Sequence, residues 1–279
     1  MTLASIKITF SSTGQGMTTL CISFSEILTS RKIYTIAQKK ITSTAMSADH
    51  TFKVGKNIGF MRKVDGKFIK QFSNCFIVLS DSGEVMTWCL TKSTAFAKVE
   101  DLLLGLKQRL ERANVQLKHV SVDDCCHVRD KYKSVFGNVE VQLDLFHACR
   151  RITSTTNKRS VLSLQFSKEF GLNFRQDEDQ GNIRLKHSPD QVKIEETLNA
   201  LINRWAYVKD GPVTQETFHV MKNLRVHIRK GCSSDIPPGC GTERNEYIHR
   251  IPNRSLLVGS TRISVELAIA IITIIFYFI

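Results

Sequence analysis

Apolar and polar positions alternate from Met46 onward. Met46, Ala48, His50, Phe52 and Val54 face one way while Ser47, Asp49, Thr51 and Lys53 face the other, which predicts a strand with Asp49 on its polar face. Asp65-Gly66 in "KVDGKF" predicts a tight turn into a second strand, "QFSNCFIVLS", whose run Cys75 to Leu79 is continuously apolar. "DSGE" turns the chain into a third strand, "VMTWCL". The period then becomes helical: Phe96, Val99, Leu102, Leu103, Leu106 and Leu110 recur on one face behind Ser93-Thr94. Acidic Glu100 and Asp101 at its start and basic Lys107, Arg109 and Arg112 at its end suit the helix dipole. "LKHVSVDD" reads as a strand ending in Asp123 and Asp124. "CCHVRDKYKSVFG" reads as a helix stopped by Gly137, and "VEVQLDLFH" as a fifth strand feeding a further helix. The predicted order is β-β-β-α-β-α-β-α.

Beyond about residue 155 the alternation ends. "FRQDEDQGNIRLKHSPDQ" reads as a polar loop. Two helices follow, one carrying Ile194, Leu198, Leu201 and Trp205 and one carrying Phe218, Met221, Leu224 and Ile228. Pro237-Pro238-Gly239 punctuates the chain before a helical stretch that holds Glu246. The expected organisation is a weakly ordered lead-in over 1–44, an α/β core over 45–155, a helical insertion over 156–230, and a final core segment over 231–279.

Composition adds a partner class. A formal charge of +13 on 279 residues favours a polyanion, nucleic acid or an acidic membrane surface. The eight cysteines lack the dense spacing of a disulfide scaffold, and no leader pattern opens the chain, which fits a reducing intracellular compartment. The apolar run Leu267 to Ile279 falls short of the roughly 20 residues that a membrane-spanning helix needs, so a core helix is the first reading and a tail anchor the alternative.

Three antiparallel strands followed by helix, strand, helix and strand is the order of the ribonuclease H-like fold, a mixed five-stranded sheet with helices on both faces. There the first and fourth strands are neighbours, which gives Asp49 a partner in Asp123. Two such carboxylates repel one another and invite a hard divalent cation.

The residues also carry a family resemblance. "VSVDDCCHVRDKYKSVFGNVEVQLDLFHACRRI" resembles the core of Mutator-like DDE transposases, where an aspartate ends a strand, a helix leads to "VF", and a [C/D]xxH motif follows, here Asp144 to His147. "GTERNEYIHRIPNR" is similar to the segment in which a Thr precedes the catalytic Glu by four residues, mapping Thr242 and Glu246. The resemblance covers roughly residues 45–265. It implies a site of Asp49, Asp123 and Glu246 that holds two Mg²⁺ or Mn²⁺ ions, one activating water or a DNA 3′-hydroxyl and the other stabilising the leaving oxygen. It further implies DNA as substrate, a nuclear location and a homo-oligomeric active form; Asp144 and His147 read as a structural, orienting hydrogen-bonded pair near the site rather than as metal ligands.

Alternatives stay open at several positions. Asp49 also fits a solvated strand face, Asp124 competes with Asp123, and Glu243 competes with Glu246. His227, Cys232, Cys240 and His249 have the donor types for tetrahedral Zn²⁺ without the short spacings of a finger. Cys125, Cys126 and Cys149 read as buried thiols. The short lead-in offers no end-recognition module, so the expectation is a fragment, a decayed copy or a host-adopted remnant. A DNA-binding remnant without catalysis is the second reading, and a tail-anchored membrane protein the third.

Overall fold

The computed structural model describes residues 5–12, 15–23, 41–180, 183–237, 243–255 and 262–277. The protein is α/β, with a mixed five-stranded sheet. Its strands are β3 (Ala45–Thr51), β6 (Asn74–Ser80), β7 (Val85–Thr91), β8 (His119–Val122) and β9 (Glu140–Leu143), in the order β7-β6-β3-β8-β9. β6 and β7 are antiparallel, whereas β8 and β9 are parallel with Val120 opposite Val141. Three smaller ladders accompany it. One pairs β1 (Ser5–Ser12) with β2 (Gln15–Ser23), within the stretch expected to be a weakly ordered lead-in. Another joins β4 (Ile58–Met61), β5 (Phe68–Lys70) and β12 (Ile263–Ser264), and the last pairs β10 (Gln176–Gln180) with β11 (Ile183–His187).

Several boundaries differ from the sequence reading. The first core strand stops at Thr51, and Phe52–Gly55 forms the short helix α1 instead of prolonging the alternation. The Asp65-Gly66 turn exists, with Gly66 N–H donating to Arg62 O at 2.9 Å, but it joins β4 to β5 rather than two strands of the main sheet. Close approach explains why Gly59 stands in β4: a Cβ there would lie 2.1 Å from Ile69 O on β5. The polar stretch read as a loop contains β10 and β11, held by a regular antiparallel register from Gln176 opposite His187 to Gln180 opposite Ile183.

The chain divides into two compact units. The first comprises Met1–Ser43, Ala48–Gln116 and Arg244–Ile279, and the second Thr44–Ser47 and Leu117–Glu243. In the first, β6 is buried along its whole length. It packs in a core with Val54, Ile58 and Val85 and with helices α8 (Glu243–Ser255) and α9 (Val265–Tyr277) through Ile248, Ala268, Ile271, Ile272, Ile275 and Phe276. Trp88 meets Phe276 edge-on at 5.6 Å. The apolar run near the C-terminus is thus core helix, and among the described residues no helix is long and apolar enough to cross a membrane. Helix α2 (Glu100–Arg112) belongs to the same unit and buries Leu103, Leu106 and Leu110, the stripe that the helical period predicts.

In the second unit, β8 and β9 alternate with helices α3 (Cys125–Phe136) and α4 (Leu145–Ser154). Gly137, at φ 78°, ends α3 in a conformation that side chains with a Cβ resist. Helices α5 (Ser163–Leu172), α6 (Gln191–Trp205) and α7 (Gln215–Arg229) form a cluster cored by Phe166, Phe170, Ile194, Leu198, Trp205, Met221, Leu224 and Ile228. Trp205 packs edge-on to Phe166 at 5.9 Å and donates its indole N–H to Glu169 at 2.8 Å, which satisfies the one polar atom of a large buried ring.

Candidate functional site

Asp49 sits on β3, a strand buried on both faces: Ser47 and Asp49 are buried along with Met46 and Ala48. The polar positions of this strand therefore do not mark a solvated face. A buried carboxylate needs partners. Asp49 Oδ1 accepts from His50 N–H at 2.6 Å, and Oδ2 lies 3.6 Å from Nδ1 of His249, itself buried. His50 next along the strand points to Asn74, with 3.0 Å between Nδ1 and Oδ1, and Thr91 Oγ1 donates to the same Asn74 oxygen. Burial lowers the pKa of His50, keeping it neutral beside this network.

Helix α8 brings Glu246 into the same unit as Asp49. Its docked face is Asn245, Ile248, His249 and Pro252, the i, i+3, i+4, i+7 pattern of an amphipathic helix. Asn245 Nδ2 donates to Ile77 O on β6 at 3.3 Å, and Arg244 donates to Asp81 O. Glu246 is half-buried and lies one turn before His249, so it borders the face that meets Asp49. Thr242 and the side chain of Glu243, which the sequence reading weighed here, lie outside the described residues.

Asp123 belongs to the second unit, one residue past the end of β8. His147 Nδ1 lies 3.2 Å from its Oδ1, and the Arg151 guanidinium is 3.5 Å from that oxygen while donating to Asp123 O at 3.1 Å. The carboxyl is pushed up from its ordinary value, chiefly by desolvation and further by Asp144 and Asp124, while His147 and Arg151 pull it down. Asp124 points instead to His127, 2.6 Å away on the exposed side of α3. Asp144 caps α4: its carboxylate accepts from the N–H of Phe146 at 3.3 Å and of His147 at 2.8 Å. The same side chain holds Nδ1 of His147 at 2.5 Å. Asp144 and His147 thus lie at a helix start, not on the fifth strand, which ends at Leu143.

The pairing of Asp49 with Asp123 anticipated two carboxylates without a basic neighbour. Each has one: His249 beside Asp49, and His147 with Arg151 beside Asp123.

Of the four residues read as a zinc quartet, His249 is committed to Asp49 in the first unit and Cys240 lies outside the described residues. His227 and Cys232 lie together in the second unit. There they meet Cys125 and Cys126, which the sequence reading left as plain buried thiols. The ligand atoms of Cys125, Cys126, His227 and Cys232 all lie within 4.8 Å of one another. The local signals for this cluster were the adjacent Cys125 and Cys126 and the spacing of His227 and Cys232; nothing local joins the two pairs, which lie about a hundred residues apart in sequence.

Comparison with known families found no family model that matches this chain, and no curated protein matches it.

Proposed function

We propose that this chain is a ribonuclease H-like protein of the DDE transposase kind, acting on DNA through Asp49, Asp123 and Glu246. The observation that carries this reading is the strand order β7-β6-β3-β8-β9, which makes β3, bearing Asp49, the neighbour of β8, which ends just before Asp123. The order is that of the ribonuclease H-like sheet, in which the first and fourth strands run side by side. Glu246 on α8 lies a turn before the histidine found 3.6 Å from Asp49, which supports reading it as the third carboxylate.

Hard oxygen donors from three carboxylates fit Mg²⁺ or Mn²⁺, and such ions would supply charge stabilisation at the attacking and leaving oxygens of a phosphodiester. The chain's own residues do the rest. Asp144 fixes the ring of His147 by holding its Nδ1, and His147 with Arg151 orients the Asp123 carboxylate. The formal charge of +13 provides phosphate neutralisation without sequence preference.

One observation favours a second reading, a DNA-binding remnant without cleavage. Asp49 has His249 beside it, and Asp123 has His147 and Arg151, so both carboxylates have protein partners of their own. Nicking of supercoiled plasmid in Mn²⁺ or Mg²⁺ separates the two. The nuclease reading expects metal-dependent nicking that drops to background in Asp49→Asn, Asp123→Asn and Glu246→Gln. Identical behaviour of all four proteins rejects it and leaves the remnant.

A further inference from the structure

We infer that Cys125, Cys126, His227 and Cys232 form a structural Zn²⁺ site in the second unit, separate from the carboxylates and independent of whether the protein cleaves DNA. The shape of the cluster carries this inference. Zn–S bonds of about 2.3 Å and Zn–N bonds of about 2.0–2.1 Å place the corners of a tetrahedron about 3.8 Å apart for S···S and roughly 3.6 Å for S···N. Here Cys126 and Cys232 sulfurs are 3.8 Å apart, and those of Cys125 and Cys126 are 4.0 Å apart. Nδ1 of His227 lies 3.4 Å from Cys126 Sγ and 3.8 Å from Cys125 Sγ. These are four of the six edges of a tetrahedron of the size that zinc fills, and the other two are no longer than 4.8 Å. They are far too long for a disulfide, which needs about 2.05 Å, and all four groups converge although they come from three separate places in the chain.

The surroundings suit the charge of such a centre. Three thiolates and a neutral imidazole around Zn²⁺ carry a net charge of −1, and Arg129 answers it: its Nη2 donates to Cys232 Sγ at 3.0 Å and to Val141 O at 3.2 Å. Structural zinc sites characteristically have their ligands held by such outer contacts. Cys125 and Cys232 are fully buried, while Cys126 and His227 are half-buried, so the sulfurs are shielded from solvent without being sealed from an entering ion. Four protein ligands leave no open position, which marks the centre as structural rather than catalytic.

Its mechanical role follows from where the ligands sit. Cys125 and Cys126 begin α3, immediately after Asp123 and Asp124, and His227 lies in the last turn of α7. Cys232 lies in the turn after α7, which is tied to β9 because Leu143 N–H donates to Cys232 O at 2.6 Å and Gln142 Nε2 to Ser234 O at 2.9 Å. One ion would clamp the end of the helical cluster onto the strand end that presents Asp123.

The test is metal analysis of the full chain purified from zinc-supplied cells, with Co²⁺ replacement as a spectroscopic probe. One zinc per chain is expected, with Co²⁺ giving thiolate charge-transfer absorption and the strong visible bands of tetrahedral coordination. Cys126→Ser and Cys232→Ser lose the zinc, whereas Cys89→Ser and Asp49→Asn retain it. Substoichiometric zinc together with six-coordinate Co²⁺ spectra overturns the site, as does zinc that persists in both cluster variants. The cobalt spectrum is read on the unsubstituted chain, so misfolding of a variant does not remove the test. A zinc-loaded chain that fails to nick DNA counts against the nuclease reading alone.

Discussion

Asp144 shows how much one side chain can carry here. It is 1% exposed, and its two oxygens serve Phe146 N–H, His147 N–H and the His147 ring. Replacing it with Ala removes the cap and strands donors in a buried place, for an expected loss of about 2–3 kcal/mol. Asp144→Asn, which keeps one acceptor oxygen, loses less. Urea unfolding of the three proteins orders them wild type, Asn, Ala, and an Ala variant as stable as wild type removes the capping role. Asp49 shows what a sequence window does and does not reveal. Its position on the first core strand is legible from alternation, but its burial is not. A strand that looks half polar is buried on both sides at the centre of the sheet, where His249 on α8 lies beside Asp49. Periodicity reports which side chains share a face; whether that face meets water depends on residues far away in the chain.

At the level of elements, what was legible followed local rules. The stripe of α2, the buried faces of α6 and α7 and the glycine stop of α3 are all decided within a turn or two of helix, and they appear where the pattern puts them. β4 and β5 escaped because their ladder is completed by β12, some two hundred residues later. The pairing of Ile58 with Ile263 has no local signature. The thiol and imidazole cluster escaped for the same reason, since nothing local joins Cys125-Cys126 to His227 and Cys232 about a hundred residues later. Helix α9 sharpens the point. Its composition fits either a lipid-facing or a core helix, and only its packing against β6 and α8 decides. Ile272, fully buried in that cluster, tests the assignment. Ile272→Ala is expected to destabilise the fold by about 2–5 kcal/mol, as deletion of a core side chain does. Ile272→Ala unfolding at the urea midpoint of the unsubstituted chain rejects burial of this helix.

For the molecule as a whole, charge is the property that no single element holds. A formal charge of +13 predicts that binding to duplex DNA is driven by release of counterions from phosphates, whether or not the carboxylates cut. If six or more phosphates are neutralised, affinity falls on the order of 10³-fold or more between 50 and 200 mM salt, and the logarithmic slope measures the number of contacts. Asp49→Asn and Glu246→Gln remove no basic side chain, so their slopes are expected to match that of the unsubstituted chain in the absence of divalent metal. Fluorescence anisotropy on a labelled duplex over a salt series reads this directly. A steep, shared slope with metal-dependent nicking lost in the variants joins both halves of the proposal, binding through the surface and chemistry through the carboxylates. The same slope without nicking in any protein keeps the binding surface and assigns Asp49 and Asp123, each with a histidine beside it, to holding the sheet. Affinity that does not change with salt removes DNA as the partner, because no phosphate-dominated interface escapes screening.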